Sequence, residues 1–139
     1  MRTLTTMTLL FVTITIIGCS SGARVGGRVL YDSGEPVAWG VAVFEADKNI
    51  YRGRIQNDGR FSLGGITEGE PIPFGKYKVW FSSTERVAEN GDDLIPQLTE
   101  EFTSSEQTQL FAEIIPGGTR RFDFTVKRHP NWNKQPGKK

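Results

Sequence analysis

Apolar residues in this chain recur at every second position over short stretches, and that period of two, interrupted at close intervals by turn chemistry, suits strands rather than helices. In the run from Gly75 to Phe81, Tyr77, Val79 and Phe81 fall on one face and Lys76, Lys78 and Trp80 on the other. Val25, Gly27, Val29 and Tyr31 share a face earlier in the chain, opposite Arg24 and Arg28. Val41–Ala46 is apolar on both faces, which predicts a central strand, and Ile50–Ile55 follows it. Phe61 and Leu63 point one way in a short run. Leu110, Ala112 and Ile114 alternate with Phe111, Glu113 and Ile115, and Phe122, Phe124 and Val126 with Arg121, Asp123, Thr125 and Lys127. From Val25 onward no stretch reads as a long amphipathic helix, so the expectation is an all-β sandwich of seven strands.

The breaks between these runs carry their own mechanism. Asp32-Ser33-Gly34-Glu35-Pro36, Asp47-Lys48-Asn49, Gly64-Gly65 and Pro116-Gly117-Gly118 are built from residues that favour turns. Asn57-Asp58-Gly59 is the strongest signal, because Asp-Gly readily supplies the positive φ of a tight hairpin. Burying the aromatic and aliphatic faces at about 25 cal/mol per Å² is adequate for one self-sufficient core. The chain has a single cysteine, so no intrachain disulfide contributes.

One connection is long. Between Ser82 and Gln109 about 28 residues show no clear period, which exceeds the usual loop in a compact sandwich. Acid concentrates there, with Glu85, Glu89, Asp92, Asp93, Glu100, Glu101 and Glu106 against Arg86 alone. Leu94, Ile95, Pro96, Leu98 and Phe102 punctuate it, so it is expected to fold back over one end of the sandwich, as a packed insertion or as a recognition loop on a rigid scaffold.

The amino terminus has a different character. Met1 and Arg2 precede an apolar run from Met7 to Ile17, interrupted by threonines and shorter than the ~20 residues of a spanning helix. The run ends in Ile16-Ile17-Gly18-Cys19, which resembles the lipobox of bacterial lipoproteins: an aliphatic residue three places before the cysteine, a tolerant position, a small residue, then Cys. The resemblance implies cleavage before Cys19, a thioether-linked diacylglycerol on its sulfur and an acylated, palmitate-type amino terminus. Residues 1–18 are then a signal peptide, residues 19–23 a lipidated linker, and the mature chain has 121 residues, the size of one domain. Several acyl chains make a lasting anchor, since one alone binds marginally. Ser20 rather than aspartate after the cysteine favours the outer membrane within the cell envelope.

Charge narrows the partners. Arg2 aside, basic and acidic residues balance at 16 each, but Lys127, Arg128, Lys134, Lys138 and Lys139 lie in a terminal stretch without acids, leaving the rest at a formal −5. A body of that sign with no basic stripe argues against nucleic acid. Residues 129–139, rich in Lys, Asn, Pro and Gly, read as a solvated flexible tail after a domain spanning 24–128.

Within that domain Val25-Gly26-Gly27-Arg28-Val29, Gly34-Glu35-Pro36-Val37-Ala38, Val41-Ala42-Val43-Phe44, Asn57-Asp58-Gly59-Arg60-Phe61-Ser62-Leu63 and Pro73-Phe74-Gly75-Lys76-Tyr77-Lys78-Val79 occur in an order and spacing that resembles the carboxypeptidase regulatory-like domain. The resemblance is carried mainly by residues 25 to 79. It implies a seven-stranded, antiparallel Greek-key sandwich of the transthyretin-like kind, and a non-catalytic module, since in metallocarboxypeptidases this domain is the appendage.

Catalytic chemistry lacks its residues. The one histidine, His129, stands in the tail, so neither a His-based zinc site nor a Ser-His dyad can be assembled in the body. Asp92-Asp93 and Glu100-Glu101 are adjacent acids, which on loops are far more often solvated than catalytic. Tyr51-Arg52-Gly53-Arg54 has part of the signature of the transthyretin-like hydroxyisourate hydrolases, but in mid-chain and without their histidines. No metal or cofactor is expected. The reading is a lipid-anchored, non-catalytic envelope module whose partner is another envelope protein or a polysaccharide. The alternative is a carbohydrate- or wall-binding protein using Trp39, Trp80 and the acids Asp92, Asp93, Glu100 and Glu101 of the 83–109 loop.

Overall fold

The computed structural model describes residues 21–133; the leader, Cys19 and residues 134–139 lie outside them. The described chain is all-β. In order it forms β1 (Gly22–Ala23), β2 (Gly26–Tyr31), β3 (Val41–Ala46), β4 (Asn49–Arg54), β5 (Arg60–Ser62), β6 (Ile72–Pro73), β7 (Gly75–Ser82), β8 (Arg86–Val87), β9 (Leu94–Ile95), a 3₁₀ turn at Glu100–Phe102, β10 (Leu110–Ile114) and β11 (Arg121–Val126). Each segment expected to be extended overlaps one of these strands, and the additional strands β1, β6, β8 and β9 have two residues each.

A four-stranded sheet in the order β10-β7-β3-β4 faces a three-stranded sheet in the order β11-β2-β5. β3 is central, as its two apolar faces predict. Ala42 and Phe44 point into the core, while Val43 on the outer face is buried between its cross-strand neighbours Trp80 and Arg52. Tyr77, Val79 and Phe81 of β7 enter the core and Lys76 and Lys78 stay exposed. Phe44 sits at the centre, with the rings of Phe61, Tyr77, Phe122 and Phe124 at 6.0–6.2 Å. The two sheets are joined along one side where Arg52 and Gly64 exchange backbone hydrogen bonds of 3.0 Å.

The expectation of a wholly antiparallel sandwich is corrected at one pair. β11 runs parallel to β2, from Arg121 opposite Gly26 to Val126 opposite Tyr31. A hairpin forces its two strands to be antiparallel, but β2 and β11 are the ends of the domain, and β11 reaches its sheet through a turn from β10 in the other sheet. Their direction is set by where the chain crosses. Gly27 is required for that pairing, because a Cβ there would lie 1.8 Å from the Phe122 carbonyl oxygen.

The long connection after β7 is packed. Thr84, Ala88, Ile95, Gln97, Leu98 and Thr108 are buried, and β8 pairs with β9. The Gln97 side-chain amide donates to the Thr84 carbonyl oxygen at 3.1 Å, bracing the connection internally, and the Thr108 hydroxyl donates to that of Val79 at 2.5 Å, tying it to the sheet. Residues 129–133, which composition assigns to the tail, pack on the body through Trp132, which meets Trp39 at 5.6 Å between centroids. The His129 N–H donates to the Gln97 carbonyl at 2.9 Å, joining the segment to the long connection, and the Trp132 N–H donates to the His129 carbonyl at 3.0 Å, closing a turn within it.

Candidate functional site

Strand direction gives the molecule two unlike ends. The chain enters at β1 and the start of β2, beside the end of β5 and the start of β11. At the opposite end, about 20 Å away along a six-residue strand, the β2–β3 connection, the β4–β5 hairpin and the start of the long connection meet. They enclose an open groove of about 820 Å³ lined by Ala38, Trp39, Gly40, Val41, Arg54, Ile55, Gln56, Asn57, Asp58 and Ser83.

Local chemistry shapes this groove. Gly59, with φ +82°, closes the β4–β5 turn, where the Gln56 N–H donates to the Arg60 carbonyl and the Gly59 N–H to that of Gln56, both at 2.8 Å. Asp58 then projects at the rim, its carboxylate accepting from the Arg60 N–H at 3.1 Å and standing 3.4 Å from the Arg60 guanidinium. Across the groove Gly40 has φ +126° and no room for a side chain, since a Cβ would meet Thr84 Cγ2 at 2.7 Å. Ser83 also has positive φ, +52°, one of two non-glycine residues in that region among the described residues. Trp39 is 36% exposed, and its indole N–H donates to the Glu85 carbonyl oxygen at 3.2 Å.

Behind Trp39 lies a stack of rings and cations. Trp132 packs against Trp39 at 5.6 Å between centroids. The Arg86 guanidinium lies 4.9 Å over the Trp132 ring and donates to its carbonyl oxygen at 3.1 Å. Arg128 stands 5.7 Å from the same ring and 4.0 Å over Tyr31, and its guanidinium bonds Glu35 at 2.6 Å. Burial pushes the Tyr31 phenol up to about 12, against the opposing pull of the Arg128 charge. The Tyr31 hydroxyl and Arg86 Nε are buried without hydrogen-bond partners. Trp132, Arg86, Arg128 and Tyr31 were not among the residues singled out by sequence. A lone tryptophan in an otherwise polar, basic segment was the one available signal.

The residues that sequence did single out are dispersed. Trp39 belongs to the groove, but Trp80 lies on the outer face of β7, half-buried, with its N–H donating to Glu45 at 3.0 Å, beside a smaller hollow of about 320 Å³ formed with Ile50 and Thr103–Glu106. The two tryptophans line different hollows. Asp92 and Asp93 occupy the exposed turn between β8 and β9, where their N–H groups donate to Asn90 Oδ1 at 3.2 and 3.3 Å and Asp93 accepts from Asn90 Nδ2 at 2.8 Å. Glu100 and Glu101 open the 3₁₀ turn, with Glu101 3.7 Å from Lys127. Among the described residues no three His, Cys, Asp or Glu side chains come close enough to hold a metal ion. His129 Nδ1 accepts from the Asn131 N–H at 3.1 Å. Cys19 falls outside the described residues.

No protein-family model, curated protein or solved structure matches this chain.

Proposed function

We propose that the chain is a lipid-anchored, non-catalytic binding module of the cell envelope, in which a lipid on Cys19 holds a carboxypeptidase regulatory-like, Greek-key sandwich at the outer membrane. The observation that carries this reading is the separation of the two ends. The domain begins at Gly22, three residues after Cys19, while the groove with Trp39 lies at the far end of the strands. Three residues of extended chain span at most about 11 Å. A tether of that length keeps the entry end close to the bilayer and turns the loop end outward, where another envelope component can reach it. A rigid two-sheet body carrying a loop-built concavity is a common way for a fold to present a recognition surface.

Metabolic labelling with an alkyne fatty acid, followed by detergent phase partitioning, tests the anchor. The wild-type chain should carry label and enter the detergent phase, and Cys19→Ser should lose both properties. Wild-type protein with a free thiol, or found in the aqueous phase, overturns the anchoring.

A further inference from the structure

We propose that the groove at the loop end binds a neutral polysaccharide, with Trp39 as its stacking face and Arg54, Gln56 and Asn57 as its polar rim. The inference rests on the reading of the chain as a binding module and supplies the class of ligand for it. Sugar rings present an apolar face of C–H groups and an equatorial belt of hydroxyls. A site for them needs an amphipathic aromatic surface and polar groups that between them donate and accept.

The groove has both. Trp39 is partly exposed at its wall, and the ring cannot swing freely because its N–H is held by the Glu85 carbonyl and its body rests on Trp132. A ring already fixed in place loses little freedom when a ligand stacks on it. Arg54, Gln56 and Asn57 line the same concavity, and Arg54 takes part in none of the ion pairs among the described residues. The volume of about 820 Å³ is open to solvent along its length, which suits a segment of a chain better than an enclosed small molecule. The unusual backbone at Gly40 and Ser83 falls in this wall, and positions of that kind concentrate at ligand sites.

Charge selects the neutral class. The lining holds one cation, Arg54, and one anion, Asp58, whose carboxylate already accepts from Arg60. A polyanion would meet Asp58 without a cluster of arginines to offset it, and a cation would meet Arg54. The hollow beside Trp80 is less suited. It is about 320 Å³ and carries two carboxylates, Glu45 and Glu106, with no cation among its lining residues.

The test uses the full chain carrying Cys19→Ser, titrated with cellohexaose, maltohexaose, xylohexaose and chitohexaose, and with a galacturonic acid hexamer as the anionic counterpart. Tryptophan fluorescence and calorimetry read the binding. At least one neutral hexasaccharide should bind. Trp39→Ala should weaken it by roughly thirtyfold, as expected for loss of an aromatic anchor, Asn57→Ala by roughly fivefold for one polar contact, and Trp80→Ala should leave it unchanged. Asn57 is exposed in a hairpin, so its variant keeps the test open if Trp39→Ala fails to fold. Absence of binding by all four neutral sugars, preference for the anionic hexamer, or binding undiminished in folded Trp39→Ala or Asn57→Ala protein overturns the proposal. Because this chain has no lipid, a negative result here leaves the anchoring experiment standing, and failure of the anchor leaves the groove result standing.

Discussion

Phe44→Ala tests the premise that two sheets share one core. The side chain is fully buried on the central strand and is ringed by Phe61, Tyr77, Phe122 and Phe124, which come from both sheets. Truncating a buried phenylalanine costs about 3–5 kcal/mol, from lost transfer energy and the cavity left behind. Four neighbouring rings cannot collapse together into the space, and each aromatic pair adds about 0.5–1.5 kcal/mol beyond its buried area, so the upper part of that range applies. Against a total stability of about 5–15 kcal/mol the variant keeps little margin, and its melting temperature should fall by roughly 15 °C. Urea unfolding followed by far-UV circular dichroism measures the loss. Phe44→Leu, which keeps most of the volume but loses the aromatic pairs, should cost about 2 kcal/mol, keeping a folded variant on the same scale. Phe111→Ala serves as the outward control, because that ring is about half exposed beneath Lys76. A loss below about 1.5 kcal/mol for Phe44→Ala, or an equal loss for Phe111→Ala, would refute the shared core.

Gly27→Ala should cost about 3 kcal/mol, because its Cβ would strike the backbone of β11, whereas Gly34→Ala, in open space at φ +91°, should cost about 1 kcal/mol for backbone strain; chemical denaturation compares them. Tyr31 keeps its proton in the folded state up to about 12, so the stability linked to it is complete below pH 10 and is lost as pH rises from 10 through 12. Tyr31→Phe should reduce that alkaline loss and, by removing an unpartnered buried hydroxyl, match or exceed wild-type stability at pH 8 in urea melts. Trp132→Ala should open residues 129–133 to limited proteolysis and red-shift the emission of Trp39 as its covered face meets water; an unchanged digestion map at the carboxyl end would show that the contact of the two indoles does not hold that segment.

The alternation of Tyr77, Val79 and Phe81 made β7 legible because every second residue meets the same core, and Val41–Ala46 disclosed its central place by being apolar on both sides. Asn57-Asp58-Gly59 announced the hairpin whose rim borders the groove. Periodicity gives the face of a strand but not its neighbour, so the parallel partnership of β2 and β11, decided by residues almost a hundred positions apart, was beyond it. The same limit applies to Trp39. Its aromatic partner is Trp132, in a segment whose composition suggests a free tail. That segment is held by cations lying over rings and by one backbone hydrogen bond to Gln97, none of which leaves a periodic trace in sequence.

The pairing of the first long strand with the last gives the domain a clasp. Until Arg121–Val126 has been synthesised, the row of amide groups along one side of β2 has no partner, and the inner aromatic layer lacks Phe122 and Phe124. The sandwich therefore closes late, by a contact of the longest range available to it, and such contacts slow folding.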